Sequence, residues 1–249
     1  MCRLAAHSKR ADFCLPMLRT GVPMDQPDTI EHAKSLILLA ALPHVPFEGW
    51  SKATFEAALR ESGVAPGLGH ALFPRGGLDL ALAYHRAGDA QMVAALGNTD
   101  LSTLRFRDRI ALALRLRLDA ADREVVRRGA ALFALPTHAT EGAKAIWGTA
   151  DAIWIALGDT SNDINWYTKR ATLSAVYGSA VLFWLGDDSP GHQATWDFIT
   201  RRIEDVMRFE ATKARFRENP LGKALLNGPM KVLERVRASN GADILPGKI

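Results

Sequence analysis

The chain has 249 residues, of which 48% are apolar and 23% charged, so it has enough apolar material for a sizeable buried core. Its 31 Lys and Arg residues against 27 Asp and Glu residues give a net charge of +4, a mild excess that suits an anionic membrane surface or nucleic acid equally well. With only two cysteines, Cys2 and Cys14, the chain can form neither a disulfide framework nor a cysteine-based zinc site. The longest uninterrupted apolar run, residues 36–42, is far shorter than the roughly 20 residues of a membrane-spanning helix.

Residues 1–24 contain one acidic residue, Asp12, against four basic ones. Such a segment fits either a transit-like leader or untranslated sequence ahead of a true start at Met24. We favour the second interpretation, because Pro16 and Pro23 interrupt any regular amphipathic period. In both cases the segment is predicted to be disordered and to lie outside the fold.

Helical periodicity runs through nearly all of the remaining chain, and no segment has the alternating pattern of a strand. Capping signals, glycines and prolines bound the predicted helices. These helices cover residues 32–42, 52–62, 66–73, 78–96, 103–118, 122–135, 140–157, 162–185, 191–217 and 221–238. We predict an all-α fold with a boundary near residues 97–102. Its predicted parts are an N-terminal part (25–97), a helical bundle (98–207) and a basic carboxyl-terminal arm (208–249).

The N-terminal part ends in a helix, a glycine turn and a short helix, and it resembles the helix-turn-helix of TetR-type regulators. A recognition helix needs side chains that contact base edges, with Lys and Arg neighbours that neutralise phosphates. Residues 64–73 contain no Lys, Arg, Asn or Gln, and Lys52, Arg60 and Arg75 are the bases that flank them. We therefore predict a degenerate helix-turn-helix that does not bind nucleic acid.

The most specific stretch is Asp159-Thr-Ser-Asn-Asp-Ile-Asn-Trp-Tyr-Thr-Lys-Arg170. Together with Trp147 and residues 151–154 before it, and residues 185–205 after it, this stretch resembles the signature of the Coq-nine family of ubiquinone-biosynthesis proteins. The resemblance covers residues 104–207 strongly and the first hundred residues loosely. It implies a TetR-like helical bundle that binds lipid and a surface that docks the demethoxyubiquinone hydroxylase.

Side chains at the start of the predicted helix 162–185 are spaced to share one face. A capping-box-like pattern at residues 160–163 places Asp163 in the first turn, with Tyr167 and Arg170 at i+4 and i+7 beside Trp166. A Trp–Tyr pair flanked by an acid and a base is typical of a protein–protein hot spot, and also of an aromatic pair at a core edge. The resemblance favours the partner site. The predicted partner-binding residues are Ile153, Asp163, Trp166, Tyr167 and Arg170.

Beyond Arg170 the same helix is apolar on most sides, with small residues between the large ones. A helix that is apolar all round is buried, in a well-filled core or around an apolar cavity. The resemblance implies a cavity that holds an isoprenoid quinone or a phospholipid. The predicted lipid-binding residues are Trp147, Trp154, Leu157, Leu173, Val176, Tyr177, Leu182 and Phe183.

Residues 208–237 contain eight basic and three acidic residues, a net charge of +5. The final predicted helix, residues 221–238, has an apolar stripe with basic side chains outside it. This pattern is typical of a helix that lies in a membrane interface, and it also fits a helix docked on this chain or on a dimer partner. The resemblance implies membrane binding. The predicted membrane-binding residues are Leu226, Met230, Lys231, Leu233, Arg235 and Val236.

None of the seven histidines forms a helical metal-ligand pair, and the motifs of nucleotide loops and nucleophile elbows are absent from the sequence. We predict no catalytic residue, no metal and no cofactor. The sequence is interpreted as a non-catalytic lipid-binding accessory protein of ubiquinone biosynthesis that takes polyprenyl quinone intermediates from the membrane and presents them to the hydroxylase. We expect a homodimer in the cytoplasm, bound peripherally to the inner membrane, or on the matrix side in a eukaryote. The alternative is a TetR-type transcriptional regulator that senses an apolar ligand.

Overall fold

The computed structural model describes residues 30–218, with side chains to residue 209. The predicted leader and the predicted membrane-binding residues from Leu226 to Val236 lie outside the described residues. Ten α-helices and no strand occur between residues 30 and 218, which confirms the predicted all-α fold. The helices are α1 Ile30–Ala41, α2 Val45–Glu48, α3 Lys52–Ser62, α4 Pro66–Leu72, α5 Gly77–Gly97, α6 Phe106–Asp119, α7 Arg123–Phe133, α8 Ala139–Ala156, α9 Ile164–Leu185 and α10 Gln193–Glu218. None of these helices has both the length and the apolar character that a membrane crossing requires.

The chain divides into two compact units. Among the described residues, the first consists of residues 30–95 together with residues 116–145, and the second of residues 96–115 together with residues 146–218. The predicted boundary near residues 97–102 lies at the end of α5. The two units also exchange at two further points of the chain, one within α6 and one within α8. The helix α7 belongs to the first unit, since the Trp50 indole N–H donates to the Val125 carbonyl (3.3 Å) and the Asp122 amide donates to the Tyr84 hydroxyl (3.0 Å).

The helix-turn-helix of the first unit is formed by α3 and α4. Ser51 caps α3 by accepting a hydrogen bond from the Thr54 amide (3.1 Å), and Gly63 ends it in the left-handed conformation at φ +71°. A Cβ at Gly69 would overlap the Cδ2 atom of Leu59, so glycine allows α4 to approach α3 closely. The exposed surface of α4 is formed by Pro66, Gly67, Leu68, His70 and Ala71.

A buried ion pair connects α5 and α6 within the first unit. The Arg117 Nε donates to Asp89 Oδ1 (2.7 Å), and its Nη2 donates to the His85 carbonyl (3.1 Å). A Cβ at Gly88 would come within 2.6 Å of the Arg117 guanidinium, so this glycine provides the necessary space. Beside this pair, His85 Nε2 lies 3.1 Å from the Ala145 carbonyl oxygen and 3.6 Å from Asp89 Oδ2.

Acidification is expected to destabilise the protein through His85. Burial lowers the pKa of His85 from its ordinary value of 6.5 to about 4, against the opposing effect of Asp89. Between these two values the unfolded chain binds a proton that the folded chain does not, so the free energy of unfolding should fall as the pH falls through this window, and the effect of His85 should level off below it. Urea unfolding at several pH values between about 4 and 6.5 measures the free energy of unfolding. On acidification through this range, that free energy should fall less in His85→Gln than in the wild type. The control His70→Gln, which changes an exposed histidine, should lose as much free energy of unfolding on acidification as the wild type. An equal loss in the wild type and in His85→Gln would contradict the role given to His85.

Candidate functional site

An apolar cavity of about 240 Å³ lies within the second unit, between α6, α8, α9 and α10. Its volume is slightly below the roughly 300–1,000 Å³ of small-molecule sites, so it suits part of a long apolar ligand. The lining side chains are Phe106, Arg107 and Ile110 of α6, Trp154 of α8, Asn165, Thr168, Lys169, Thr172, Leu173 and Val176 of α9, and Ile203, Val206 and Met207 of α10. Those of α9 follow the spacing i, i+3, i+4, i+7, i+8 and i+11, which is one face of a helix.

Aromatic side chains form one wall of the cavity. The Phe106 and Trp154 rings lie 5.5 Å apart between centroids, and Lys169 Nζ lies 5.1 Å from the centre of the Trp154 ring. The Trp154 indole N–H donates to the Lys169 carbonyl (3.2 Å), which fixes α8 against α9. Phe106 is 46% exposed and Met207 is 55% exposed, so these two apolar side chains lie where the cavity meets solvent.

The structure brings together three of the eight predicted lipid-binding residues, Trp154, Leu173 and Val176. Tyr177 is buried outside the cavity lining, and Trp147 and Leu157 are half-buried. Leu182 and Phe183 are exposed, and the Phe183 ring stacks on Phe198 at 4.5 Å. The sequence interpretation did not include Ile110 on α6 or Ile203, Val206 and Met207 on α10. The spacing of the α10 residues, i, i+3 and i+4, was the available signal.

A second feature of this unit is an aromatic cluster, which we define as Trp147, Trp166 and Tyr167. The Trp147 and Trp166 rings lie 6.0 Å apart, and Trp166 meets Tyr167 edge to face at 4.8 Å. The Arg170 guanidinium carbon lies 4.0 Å from the centre of the Trp166 ring, a cation–π contact. Trp166 and Tyr167 are half-buried, so the cluster is partly accessible to solvent.

Two carboxylates hold Arg170 beneath this cluster. Its Nε donates to Asp151 Oδ1 (2.6 Å), and its Nη1 donates to Asp159 Oδ2 (3.0 Å) and to the Trp166 carbonyl (3.2 Å). The Arg170 and Asp159 side chains are 2% and 3% exposed. This buried ion pair therefore fixes the loop before α9 and the orientation of the Trp166 ring.

Asp159 also binds the neighbouring residue of α9. Its Oδ1 accepts hydrogen bonds from Lys169 Nζ (2.7 Å) and the Ser161 hydroxyl (2.7 Å). Burial acts to raise the pKa of Asp159, but the hydrogen bonds from Lys169, Ser161 and Arg170 outweigh it and hold the pKa well below its ordinary value. One carboxylate thus bonds both Lys169, which lines the cavity, and Arg170, which lies under the aromatic cluster.

The predicted partner-binding residues differ in exposure. Asp163 is exposed, Trp166 and Tyr167 are half-buried, and Ile153 and Arg170 are buried. The prediction that Asp163 lies in the first turn was wrong. It is the N-cap of α9 and accepts a hydrogen bond from the Asn165 amide (2.9 Å), because the loop held by Asp159 delays the start of the helix to Ile164.

Among the described residues, no group of three His, Cys, Asp or Glu side chains is arranged to hold a metal ion. In the first unit, Arg75 binds Asp79 (2.7 Å) and Glu141 (3.2 Å). Its charge is therefore balanced by two carboxylates beside the exposed surface of α4.

Comparison with known proteins connects this chain to one family. Residues 139–210 match the COQ9 family, the Coq-nine family of the sequence analysis. The "Ubiquinone biosynthesis protein COQ9, mitochondrial" of Drosophila melanogaster is 31% identical over 187 residues, which are 73% of this chain and 57% of that protein. The Homo sapiens protein of the same name is 29% identical over 212 residues, 80% of this chain and 65% of that protein. The "Probable ubiquinone biosynthesis protein coq9, mitochondrial" of Dictyostelium discoideum is 31% identical and is covered over 60% of its length.

The chain therefore spans about three fifths of the length of these relatives. Among solved structures, it is similar to the TetR transcriptional regulator from Nitrosomonas europaea ATCC 19718, with a TM-score of 0.56 and 18% sequence identity. The match covers 69% of this chain and 95% of the regulator. The resemblance that residues 159–170 indicated and the TetR-like fold are both confirmed.

Proposed function

We propose that this chain, whose residues 139–210 match the COQ9 family, is a lipid-binding accessory protein of ubiquinone biosynthesis. Its role is to hold the tail of a polyprenyl quinone intermediate. The observation that supports this role most strongly is the cavity of about 240 Å³ in the second unit. The apolar side chains of α9 and α10 that line it, among them Val176, Ile203 and Val206, suit an isoprenoid chain rather than a polar metabolite.

The proposed partner is the demethoxyubiquinone hydroxylase, to which the protein presents the bound intermediate. The aromatic cluster supports this step, because Trp166 and Tyr167 offer half-buried aromatic surface of the kind found in interface hot spots. Asp163 adds an exposed carboxylate at the same end of α9. The chemistry belongs to the hydroxylase, and this chain supplies binding and orientation without a catalytic residue of its own.

The proposed site of action is the surface of the inner membrane, on the matrix side in a eukaryote and on the cytoplasmic side in a bacterium. The names of the relatives place those proteins in mitochondria. The net charge of +5 between residues 208 and 237 suits an anionic membrane surface. We also propose a homodimer whose interface includes the exposed apolar side chain of Leu182 on α9.

A TetR-type regulator remains the alternative function, and the TetR-like fold favours it. Two observations speak against DNA binding. The exposed surface of α4 offers His70 as its one side chain with hydrogen-bonding nitrogen, and Arg75 is bound by Asp79 and Glu141. Few groups in this region are therefore available to neutralise phosphates or to contact bases.

Filling the cavity should remove most of the bound lipid. Val206 lines the cavity from α10 and is half-buried, so Val206→Trp is expected to occupy the space of the isoprenoid chain, at a cost in stability of about 1–3 kcal/mol. The amount of lipid extracted per mole of purified protein should fall at least about tenfold, the factor that corresponds to roughly 1.4 kcal/mol of lost binding free energy. The matched control is Val93→Trp, at a 37% exposed valine of the first unit, which should retain the wild-type amount. Equal lipid content in both variants would show that the cavity is not the lipid site.

A further inference from the structure

The cavity lining changes character along α9. The first four lining residues of α9, Asn165, Thr168, Lys169 and Thr172, are all polar. The two that follow, Leu173 and Val176, are apolar. Asn165 and Val176 are eleven positions apart, which corresponds to about 16 Å along the helix axis. The α9 wall of the cavity therefore has a polar end and an apolar end.

The polar end carries little net charge. Lys169 is the cation of α9 in the lining, and its Nζ donates to Asp159 (2.7 Å) and Ser161 (2.6 Å). Arg107 is the cation of α6 in the lining, and its Nε lies 3.6 Å from an Asp108 carboxylate oxygen. Because each cation already has a carboxylate partner, a phosphate or diphosphate group would have to compete with Asp159 and Asp108 for them.

The hydrogen-bonding groups of this end suit a neutral oxygen-bearing ring. The Asn165 amide donates one N–H to Asp163 (2.8 Å), which leaves its second N–H and its carbonyl oxygen for other partners. Thr172, which also carries a hydroxyl group, lines the cavity one helical turn beyond Thr168. The Asn165 amide can donate to a carbonyl or methoxy oxygen and accept from a hydroxyl. The Thr168 hydroxyl, which donates to the Asn165 backbone carbonyl (3.2 Å), can accept a further hydrogen bond, and Trp154 lies in the same cavity wall.

We propose that the polar end of the cavity, formed by Asn165, Thr168 and Thr172 beside Trp154, binds the head of a neutral prenylated ring that carries carbonyl, hydroxyl or methoxy oxygens. The isoprenoid tail then lies toward Val176. This inference rests on the proposed lipid-binding function and adds to it the orientation of the ligand and the selection of neutral over phosphorylated prenyl heads.

The orientation places the head at the same end of α9 as the aromatic cluster. Each polar lining residue of α9 follows, by two positions, a residue proposed to bind the partner: Asp163, Trp166, Tyr167 or Arg170. Two positions correspond to roughly 160° around the helix. The first turns of α9 thus carry the head-binding groups on one face and Trp166 with Tyr167 on the other. The reactive ring, rather than the end of the tail, lies at the same level along α9 as the proposed docking surface for the hydroxylase, with the helix between the two.

Two probes with the same two-isoprene tail test this inference by calorimetry on the full chain. One is a prenylated benzoquinone and the other is geranyl diphosphate. The wild type is expected to bind the quinone at least about tenfold more tightly. Thr172→Val, which exchanges a hydroxyl for a methyl group, should weaken quinone binding about fivefold, the effect of one lost hydrogen bond of roughly 1 kcal/mol, and leave diphosphate binding unchanged. Thr200→Val, at an exposed threonine of α10 outside the lining, should change neither.

The outcomes separate this inference from the function it rests on. Equal binding of the two probes, or quinone binding that Thr172→Val leaves intact, would contradict head binding at the polar end. Either result would leave the proposed lipid binding unaffected. If the wild type binds neither probe, the cavity is not a prenyl site, and the proposed function fails together with this inference.

Discussion

Replacing Arg170 by methionine is expected to lower the free energy of unfolding by about 3–5 kcal/mol, the range for removal of one partner from a buried ion pair. The Arg170 side chain is 2% exposed and bonds both Asp151 and Asp159. Without it, Asp159 would stay buried with Lys169 as its remaining cation, and Trp166 would lose its cation–π contact. Urea unfolding followed by tryptophan fluorescence measures the effect.

Arg202→Met is the matched control for this measurement. Arg202 also lies over an aromatic ring, that of Phe198 at 5.4 Å, and is also paired with a carboxylate, that of Asp205 at 2.6 Å. Its side chain is 45% exposed, so its removal should change the free energy of unfolding by less than about 1 kcal/mol. Similar small losses in the two variants would mean that the Arg170 ion pair does not stabilise the second unit.

If the proposed partner is right, truncating Trp166 to alanine is expected to weaken binding of the demethoxyubiquinone hydroxylase by about 2 kcal/mol or more, roughly thirtyfold in Kd. Trp166 lies between Trp147 and Tyr167 and combines a large apolar surface with partial exposure, as hot-spot aromatics do. Biolayer interferometry with the purified hydroxylase measures the change, and far-UV circular dichroism verifies that the helices are retained.

Phe47→Ala serves as the control for partner binding. Phe47 is 84% exposed and lies in the first unit, so it tests whether loss of any exposed aromatic side chain weakens the complex. Its removal should leave the Kd unchanged. Wild-type affinity in the double variant Trp166→Ala, Tyr167→Ala would show that the aromatic cluster only stabilises the fold.

Much of the fold could be predicted from the sequence because local signals bound the helices. The predicted helix at residues 52–62 matches α3, since Ser51 caps its start and Gly63 ends it. The start of α9 could not be predicted in the same way. It depends on Asp159, whose bonds to Lys169 and Arg170 join residues ten and eleven positions apart. The helix α2, Val45–Glu48, was also missed, because four residues that begin with a valine and a proline have no helical period to detect.

The cavity could be predicted only in part, for a related reason. Four helices form it, and their lining residues range from Phe106 to Met207, so no single stretch of sequence contains the site. The prediction followed the helix after Arg170 toward Leu182 and Phe183, where apolar side chains are dense. The structure places those two side chains at the surface. Apolar density indicates burial in general, but only packing decides which face of α9 lines the cavity.

Native mass spectrometry of the purified full-length chain tests the central claim most directly. If the cavity of the second unit holds a polyprenyl quinone intermediate, a chain made in a ubiquinone-producing host should carry about one added mass per chain. Extraction should identify that mass as a neutral prenylated ring, and Val206→Trp should lack it. A wild-type protein that carries no lipid, or one whose bound lipid persists undiminished in Val206→Trp, would contradict the account.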